Sequence, residues 1–189
     1  IPAAKDLPPE FVEQLLLRAQ GNPLFVEELT KAVTEALAAD SGMPADRSRL
    51  DQLLHVVPTT LRDLLAERLD RLGPARGTAQ AAAVIGQEFD VRLLEAITRR
   101  PEHVQQDIVQ LVDAQILVWR GAERPTTYAF RHALIREAAY QSLLKSRRRQ
   151  HHRQLAETLE RGVLPELGDR EAERIAQHYA AAGIVDRAI

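Results

Sequence analysis

The feature that most constrains the fold is a set of apolar residues at helical spacing, interrupted by residues that start and stop helices. Pro9 suits the first position of a helix, and the apolar face that follows consists of Phe11, Val12, Leu15, Leu16 and Ala19. Gly21 provides a stop, while Asn22 and Pro23 provide an N-cap and a first turn. The pattern predicts two helices joined at a stiff corner, the second reaching about Ala39.

Composition agrees with a helical fold, since aromatic residues make up 4% of the chain while Leu and Ala are abundant. A β-sandwich draws on aromatic and β-branched residues instead. Further predicted helices cover residues 60–72, 75–85, 90–97, 101–114, 133–144, 146–161 and 170–182. The polar segment 40–51 contains Gly42 and Pro44 and predicts a loop. The fold class is therefore predicted to be mainly α.

The spacing of apolar residues changes from a helical to a strand-like pattern once, between residues 116 and 130. Ile116 to Trp119 is a short apolar run, residues 120–125 have turn chemistry, and Thr126 to Phe130 is β-prone. These segments predict one β-hairpin after three helices. That order is typical of a winged helix, a variant of the helix-turn-helix. The helices after it resemble one unit of an α-solenoid, of the tetratricopeptide kind.

Three segments follow from these patterns. Residues 1–73 form a helical subdomain that ends at Gly73-Pro74, residues 74–145 form a winged-helix-like subdomain, and residues 146–189 form a helical extension. Since the chain starts at Ile1 without Met and stops within a helical pattern, we interpret it as a fragment of a longer protein.

The chain has no cysteine, so disulfides and thiolate metal sites are excluded, and a cytoplasmic location fits this composition. It has no apolar run long enough to span a membrane and no signal peptide. Phosphate-binding loops, dinucleotide fingerprints, nucleophile elbows and zinc-helix motifs are missing. We therefore expect no catalytic residues, no metal site and no cofactor in this chain, and no enzyme activity from it alone.

Some charged residues could carry chemistry, but their pattern favours simpler roles. Glu27 and Glu28 are expected to be exposed, solubilising charges. His151 and His152 are adjacent, so on a helix they point about 100° apart and cannot chelate one metal together. The segment from Lys145 to Arg153 holds five basic residues and these two histidines, and it is expected to be a solvated basic face.

DNA binding is disfavoured even though a winged helix is predicted. The helix that would enter the major groove, residues 101–114, contains Glu102, Asp107 and Asp113 and has no Lys or Arg. Neutralisation of phosphates supplies most of the affinity for DNA, so this helix would be repelled. A DNA-binding regulator and a protein–protein scaffold remain alternative functions.

Several motifs, in order, resemble one family. They are Gly21-Asn22-Pro23-Leu24-Phe25, Val57-Pro58-Thr59-Thr60-Leu61, Ala82-Ala83-Val84-Ile85-Gly86, Tyr128-Ala129-Phe130-Arg131-His132 and Ala176-Gln177-His178-Tyr179. The chain resembles signal-transduction ATPases with numerous domains (STAND, related to AAA proteins). The likeness is strongest to those linked to bacterial class III adenylate/guanylate cyclases and large LuxR-type regulators.

The resemblance implies that the chain is the part that follows the nucleotide-binding domain. It would then contain a helical lid, a winged helix and the start of helical repeats, and would act as a nucleotide-gated switch that is not catalytic alone. The parent protein would bind ATP or ADP with Mg. The implied partners are the N-terminal nucleotide-binding domain and C-terminal repeats of the same chain, with a separate protein partner possible in addition.

The same resemblance implies nucleotide-contacting residues. Pro23 would pack on the adenine ring at the Gly21-Asn22-Pro23 corner, and His132 would sense the β-phosphate of ADP. Relatives with the sensor have Asp after the histidine, whereas Ala133 follows here. Two simpler roles therefore stay open: His132 as a cap of the following helix, and the corner as a helix–helix joint.

Overall fold

The computed structural model describes residues 7–39, 50, 52–53, 57–121, 126–163, 170–184 and 186. It confirms a mainly helical fold with one small antiparallel sheet. The chain forms two compact units, Ile1–Arg68 and Leu69–Ile189. The subdomain boundaries at 73/74 and 145/146 stay predictions.

The first unit contains helices α1 (Pro9–Ala19), α2 (Pro23–Ala39) and most of α3 (Leu61–Asp70). Thr60 caps α3, since its hydroxyl oxygen accepts a hydrogen bond from the Asp63 amide at 3.1 Å. The core of the unit is aliphatic and aromatic and consists of Phe11, Leu15, Ala19, Phe25, Leu29, Val33, Leu50, Val57 and Leu64. Of the predicted loop 40–51, only Leu50 lies among the described residues.

The prediction that Glu28 is an exposed solubilising charge is wrong. Its side chain is 2% exposed and forms a close ion pair with Arg68 of α3. The Lys31 ammonium lies 3.5 Å from the same carboxylate. Glu28 lies on the face of α2 that is directed toward α3. A carboxylate buried there is stable only when a positively charged side chain lies beside it. Its neighbour Glu27 is partly exposed and pairs with Lys31 at 2.8 Å.

The second unit begins with α4 (Ala75–Ile85), strand β1 (Glu88–Asp90), α5 (Val91–Ile97), a 3₁₀ turn (Pro101–His103) and α6 (Val104–Asp113). Strands β2 (Leu117–Trp119) and β3 (Thr127–Phe130) form the predicted hairpin. The Asp90 carboxylate caps α5 by accepting from the Arg92 amide at 2.8 Å. Residues 122–125 of the predicted turn lie outside the described part of the chain.

The sheet contains a strand that the sequence did not predict. Its order is β1-β3-β2, and Phe89 of β1 pairs with Tyr128 of β3. A three-residue strand has no alternation to recognise, and it exists here because β3 offers it a free edge. The Phe89 and Phe130 rings lie 6.2 Å apart, which anchors this edge in the core.

The prediction that Asp107 contributes to a repulsive exposed face is also wrong. Asp107 is 5% exposed, and its carboxylate accepts a hydrogen bond from the Thr78 hydroxyl at 2.5 Å. This bond joins α6 to α4. The exposed side of α6 carries instead Gln105, Gln106, Val109 and Gln110, with Asp113 at its end.

Three helices follow the sheet: α7 (Ala133–Gln141), α8 (Lys145–Glu160) and α9 (Arg170–Ala182). The predicted α7 was three residues too long, since a turn occupies Ser142 and Leu143. Leu134 in the first turn of α7 is 46% exposed. Helix α8 packs against α4, α5 and α9, so it lies at the centre of the second unit.

Candidate functional site

The corner between α1 and α2 is built by two consecutive residues with left-handed backbone. Gln20 ends α1 at φ 50°, and Gly21 follows at φ 76°. The Asn22 side chain then caps α2, since its Oδ1 accepts from the amides of Leu24 at 3.1 Å and Phe25 at 3.3 Å. The predicted stop, N-cap and first turn are confirmed at Gly21, Asn22 and Pro23.

The corner presents an open apolar surface. Gly21 and Pro23 are exposed, and beside them Leu16 and Leu17 of α1 are 50% and 77% exposed. A shallow cleft of about 480 Å³ runs along this face and is lined by Glu13, Leu16, Leu17, Gln20 and Gly21. Leu16 was expected to face the core. Its exposure places a leucine pair at the surface next to the corner, and such patches typically mark binding surfaces.

His132 lies in the second unit, between β3 and α7. Its backbone is extended (φ −138°, ψ 143°), and its carbonyl accepts from the amides of Ile135 at 3.1 Å and Arg136 at 3.3 Å. Its side chain makes no capping hydrogen bond to α7. His132 is therefore the N-cap residue of α7 through its main chain and not through its side chain.

The second unit holds a polar cluster that the sequence did not predict as a site, formed by Tyr140, His152 and His178. The Tyr140 hydroxyl lies 2.9 Å from Nε2 of His152, and Nδ1 of His152 lies 2.9 Å from Nδ1 of His178. Because both atoms of the last contact are ring nitrogens, one must donate its proton to the lone pair of the other. Two fully protonated rings would be incompatible with this contact.

Arginines surround this cluster without forming ion pairs with it. The Arg148 guanidinium lies 4.2 Å from the centre of the Tyr140 ring and donates to the Tyr140 carbonyl at 3.0 Å. Burial lowers the pKa of His152 to about 4, with further lowering by the charges of Arg148, His151 and Arg136. Burial likewise lowers the pKa of His178 to about 4, helped by His152 and Arg174. The histidine pair is therefore neutral at physiological pH.

The expectation of a solvated basic face at His151 and His152 is thus wrong for His152, which is 6% exposed. The signal was present in the sequence, because His152 shares a helical stripe with Leu155 and Leu159. Both leucines are buried. A histidine on an apolar stripe is a buried histidine, and its partner on α9 could be identified only from the packed helices.

The described residues contain no group of three or more His, Cys, Asp or Glu side chains that could hold a metal ion. Within the same part of the chain, no helix combines the length and apolarity that a bilayer crossing requires. The chemistry that these side chains offer is hydrogen bonding and apolar contact.

Comparison with known proteins adds one relative. No family model matches the chain, and no solved structure matches it. The chain is 30% identical over 175 residues to an uncharacterised protein of Rhizobium meliloti (strain 1021). The match covers 89% of this chain and 16% of that protein, so the chain spans about a sixth of its relative's length.

Proposed function

We propose that this chain is the regulatory part of a multidomain signalling ATPase of the STAND type, associated with an adenylate or guanylate cyclase. In this proposal the chain is a nucleotide-gated conformational switch and has no catalytic activity alone. It works in the cytoplasm, between an N-terminal nucleotide-binding domain and C-terminal helical repeats of the same protein. The parent is an ATPase that uses ATP or ADP with Mg, and it carries the cyclase as its output domain.

The observation that carries the proposal is the geometry of the corner. An exposed proline ring stands at the first position of α2, where the Asn22 cap and the left-handed residues before it hold the backbone. The exposed Leu16 and Leu17 line a cleft that reaches Gly21, two residues before this proline. A flat heteroaromatic ring packs well on such a surface, and a rigid corner transmits its position to the axis of α2.

The residues proposed to contact the nucleotide differ in how accessible they are to it. The corner offers a proline face for a base, whereas Nε2 of His132 is buried. A phosphate oxygen could therefore be reached from Nδ1 of His132 and not from Nε2 without rearrangement. A bound nucleotide would stabilise one of the two states of the switch over the other. Pro23 would position its base, and His132 would donate a hydrogen bond to a phosphate oxygen.

A match to a small share of a much longer relative supports a place within a multidomain chain. The alternative of DNA recognition finds no support at α6, whose exposed side is made of glutamines and Val109 and carries no Lys or Arg. Phosphate contacts need positive charge, so this surface is a poor reader of the major groove.

The test compares two prolines that begin neighbouring helices. Pro9 and Pro23 are both exposed first residues, of α1 and α2 respectively. In the full-length natural protein, Pro23→Ala should weaken the binding of a fluorescent ADP analogue by about tenfold, while Pro9→Ala should leave it within about twofold. Equal affinities for the two variants would contradict the role of the corner.

A second measurement concerns the chain by itself. We expect the 189-residue chain to show no ATP hydrolysis above a buffer blank, because it holds no phosphate-binding loop. Hydrolysis at about 1 per second, in the range typical of enzymes, would overturn the proposal.

A further inference from the structure

A cleft in the second unit has properties that the proposed function does not use. It measures about 320 Å³ and lies where the first turn of α4, the turn after α5, and α8 meet. Its walls carry three arginines, Arg99, Arg100 and Arg147, together with His151 and the apolar side chain of Leu143. The size is at the lower end of the range for small-molecule sites.

No carboxylate among the residues that line this cleft balances its positive charge. Within the described part of the chain, the guanidinium groups of Arg99, Arg100 and Arg147 form no hydrogen bond or ion pair, although Arg100 is close enough to exposed Glu102 to act on its charge. Other arginines of the second unit do pair, such as Arg153 with Glu157 at 2.8 Å. Three guanidinium groups around one concavity repel each other unless an anion lies between them.

Two neutral polar groups of the cleft are directed into the fold. The Thr78 hydroxyl donates to buried Asp107, and the Gln80 amide donates to the Ser142 hydroxyl at 2.8 Å. The Asp107 carboxylate is already occupied by Thr78. The groups left for a ligand are the guanidinium groups, the Thr98 hydroxyl and His151.

His151 adds a buried polar atom on the same wall. It follows Arg147 by one helical turn of α8, and its Nδ1 is buried with no hydrogen-bond partner among the described residues. Burial lowers the pKa of His151, a hydrogen bond with the Ile97 backbone opposes this, and the charge of Arg99 lowers it further. Because the other ring nitrogen donates to the Ile97 backbone, Nδ1 of the neutral ring carries a lone pair and can accept a hydrogen bond from a ligand.

The floor of the cleft is open at Gly77, in the first turn of α4. A Cβ atom built there would meet nothing within 4 Å. Open space and the positive charge of the arginines thus coincide in this cleft.

We propose that this cleft binds the phosphate group of a small phosphorylated molecule. The planar forks of Arg99, Arg100 and Arg147 match phosphate oxygens, and Leu143 contacts an apolar part of the ligand. A small molecule fits better than a nucleic acid, because a duplex backbone needs a strip of positive charge and this charge lies in a concavity of about 320 Å³. The site does not depend on the proposed nucleotide contacts at Pro23 and His132.

The test uses the 189-residue chain, inorganic pyrophosphate as the probe, and isothermal titration calorimetry. We expect one saturable site. Arg147→Gln should weaken it about tenfold or more, whereas Arg149→Gln, which removes the same charge from an exposed position of the same helix outside the cleft, should change it by less than about twofold. If Arg147→Gln did not fold by circular dichroism, Arg99→Gln on the exposed turn would replace it.

A second pair of variants tests the floor of the cleft. Gly77→Ala should bind as the natural chain does, since its methyl group has free space. Gly77→Glu should abolish binding, because its carboxylate would occupy the place of the anion. Sodium chloride of matched ionic strength should weaken pyrophosphate binding less than inorganic phosphate does, because it screens the charges without occupying the site.

Three results would overturn the proposal. The first is no saturable binding of pyrophosphate up to about 10 mM. The second is an equal loss in Arg147→Gln and Arg149→Gln, which would indicate diffuse attraction to the basic surface. The third is a short DNA duplex that binds more tightly than pyrophosphate and loses affinity in both variants, which would indicate a nucleic-acid surface instead.

Discussion

Helices α2 and α3 of the first unit are joined by the ion pair of Glu28 with Arg68. Helices α7, α8 and α9 of the second unit are joined through the uncharged side chains of Tyr140, His152 and His178. In both regions polar atoms are buried between helices, and each pairs with a polar atom of a neighbouring helix. A buried ion pair depends on keeping both partners, since a lone charge is expensive. A neutral histidine pair depends on staying neutral, so it is sensitive to pH instead.

The largest expected effect comes from breaking the ion pair. Arg68→Met leaves the buried Glu28 carboxylate with Lys31 alone, and it should lower the free energy of unfolding of the first unit by about 3 kcal/mol. Hydrogen exchange of the α2 amides would measure this. Lys31→Met is the control, because Lys31 is 28% exposed and its loss should cost less than about 1 kcal/mol. Equal losses would show that Arg68 is not the main partner.

Acid should lower the stability of the second unit. The folded-state pKa of His152 and His178 is about 4, below the ordinary value of 6.5, so the unfolded chain binds more protons between these values. The unfolding free energy should be constant above about pH 7 and fall as pH drops from about 6.5 to 4. The loss should be on the order of 2 kcal/mol once partial exposure of His178 is allowed for.

Trp119 is the single tryptophan of the chain and lies on β2, so its fluorescence reports urea unfolding of the second unit. His178→Gln should flatten the pH profile, and His103→Gln, at an exposed histidine of the same unit, should leave it unchanged. A profile that is equally steep in the His178 variant would contradict the assignment.

A smaller effect is expected at the tyrosine of the cluster. Tyr140→Phe keeps the ring under Arg148 but removes the hydroxyl that contacts His152, so it should cost about 1.5 kcal/mol. Tyr128→Phe is the matched control, since the Tyr128 hydroxyl makes no hydrogen bond with the described residues and its loss should stay within about 0.5 kcal/mol. Chemical denaturation followed by Trp119 would separate the two.

The smallest effect is expected at the corner. Asn22→Ala removes the side-chain cap of α2 and should destabilise the first unit by about 1 kcal/mol, while Asn22→Ser should retain most of the stability. Amide hydrogen exchange at Leu24 and Phe25 would report the loss directly. If the serine variant lost as much as the alanine variant, the cap would not be the reason.

Local signals in the sequence predicted much of the fold. The bounds of α2 and α4, the Asn22 and Asp90 caps, and the hairpin all follow from capping residues, turn residues and the period of apolar side chains. Of the candidate site, the corner geometry was predicted as well. Strand β1 was not, because it is defined by its hydrogen bonds to β3, which lies about 40 residues further along the chain.

The sequence by itself determined where helices begin and end, since those signals act within one or two turns. Only the tertiary structure decided which polar residues are buried and with what partner. Glu28 and Asp107 resemble surface residues in the sequence, while His152 lies on an apolar stripe that does not reveal its partner. Each is enclosed because a helix distant in sequence brings Arg68, Thr78 or His178 against it. The cleft of Arg99, Arg100 and Arg147 arises in the same way. Its charges come from segments about 50 residues apart in the sequence. They act together on one cleft only because α5 and α8 pack together.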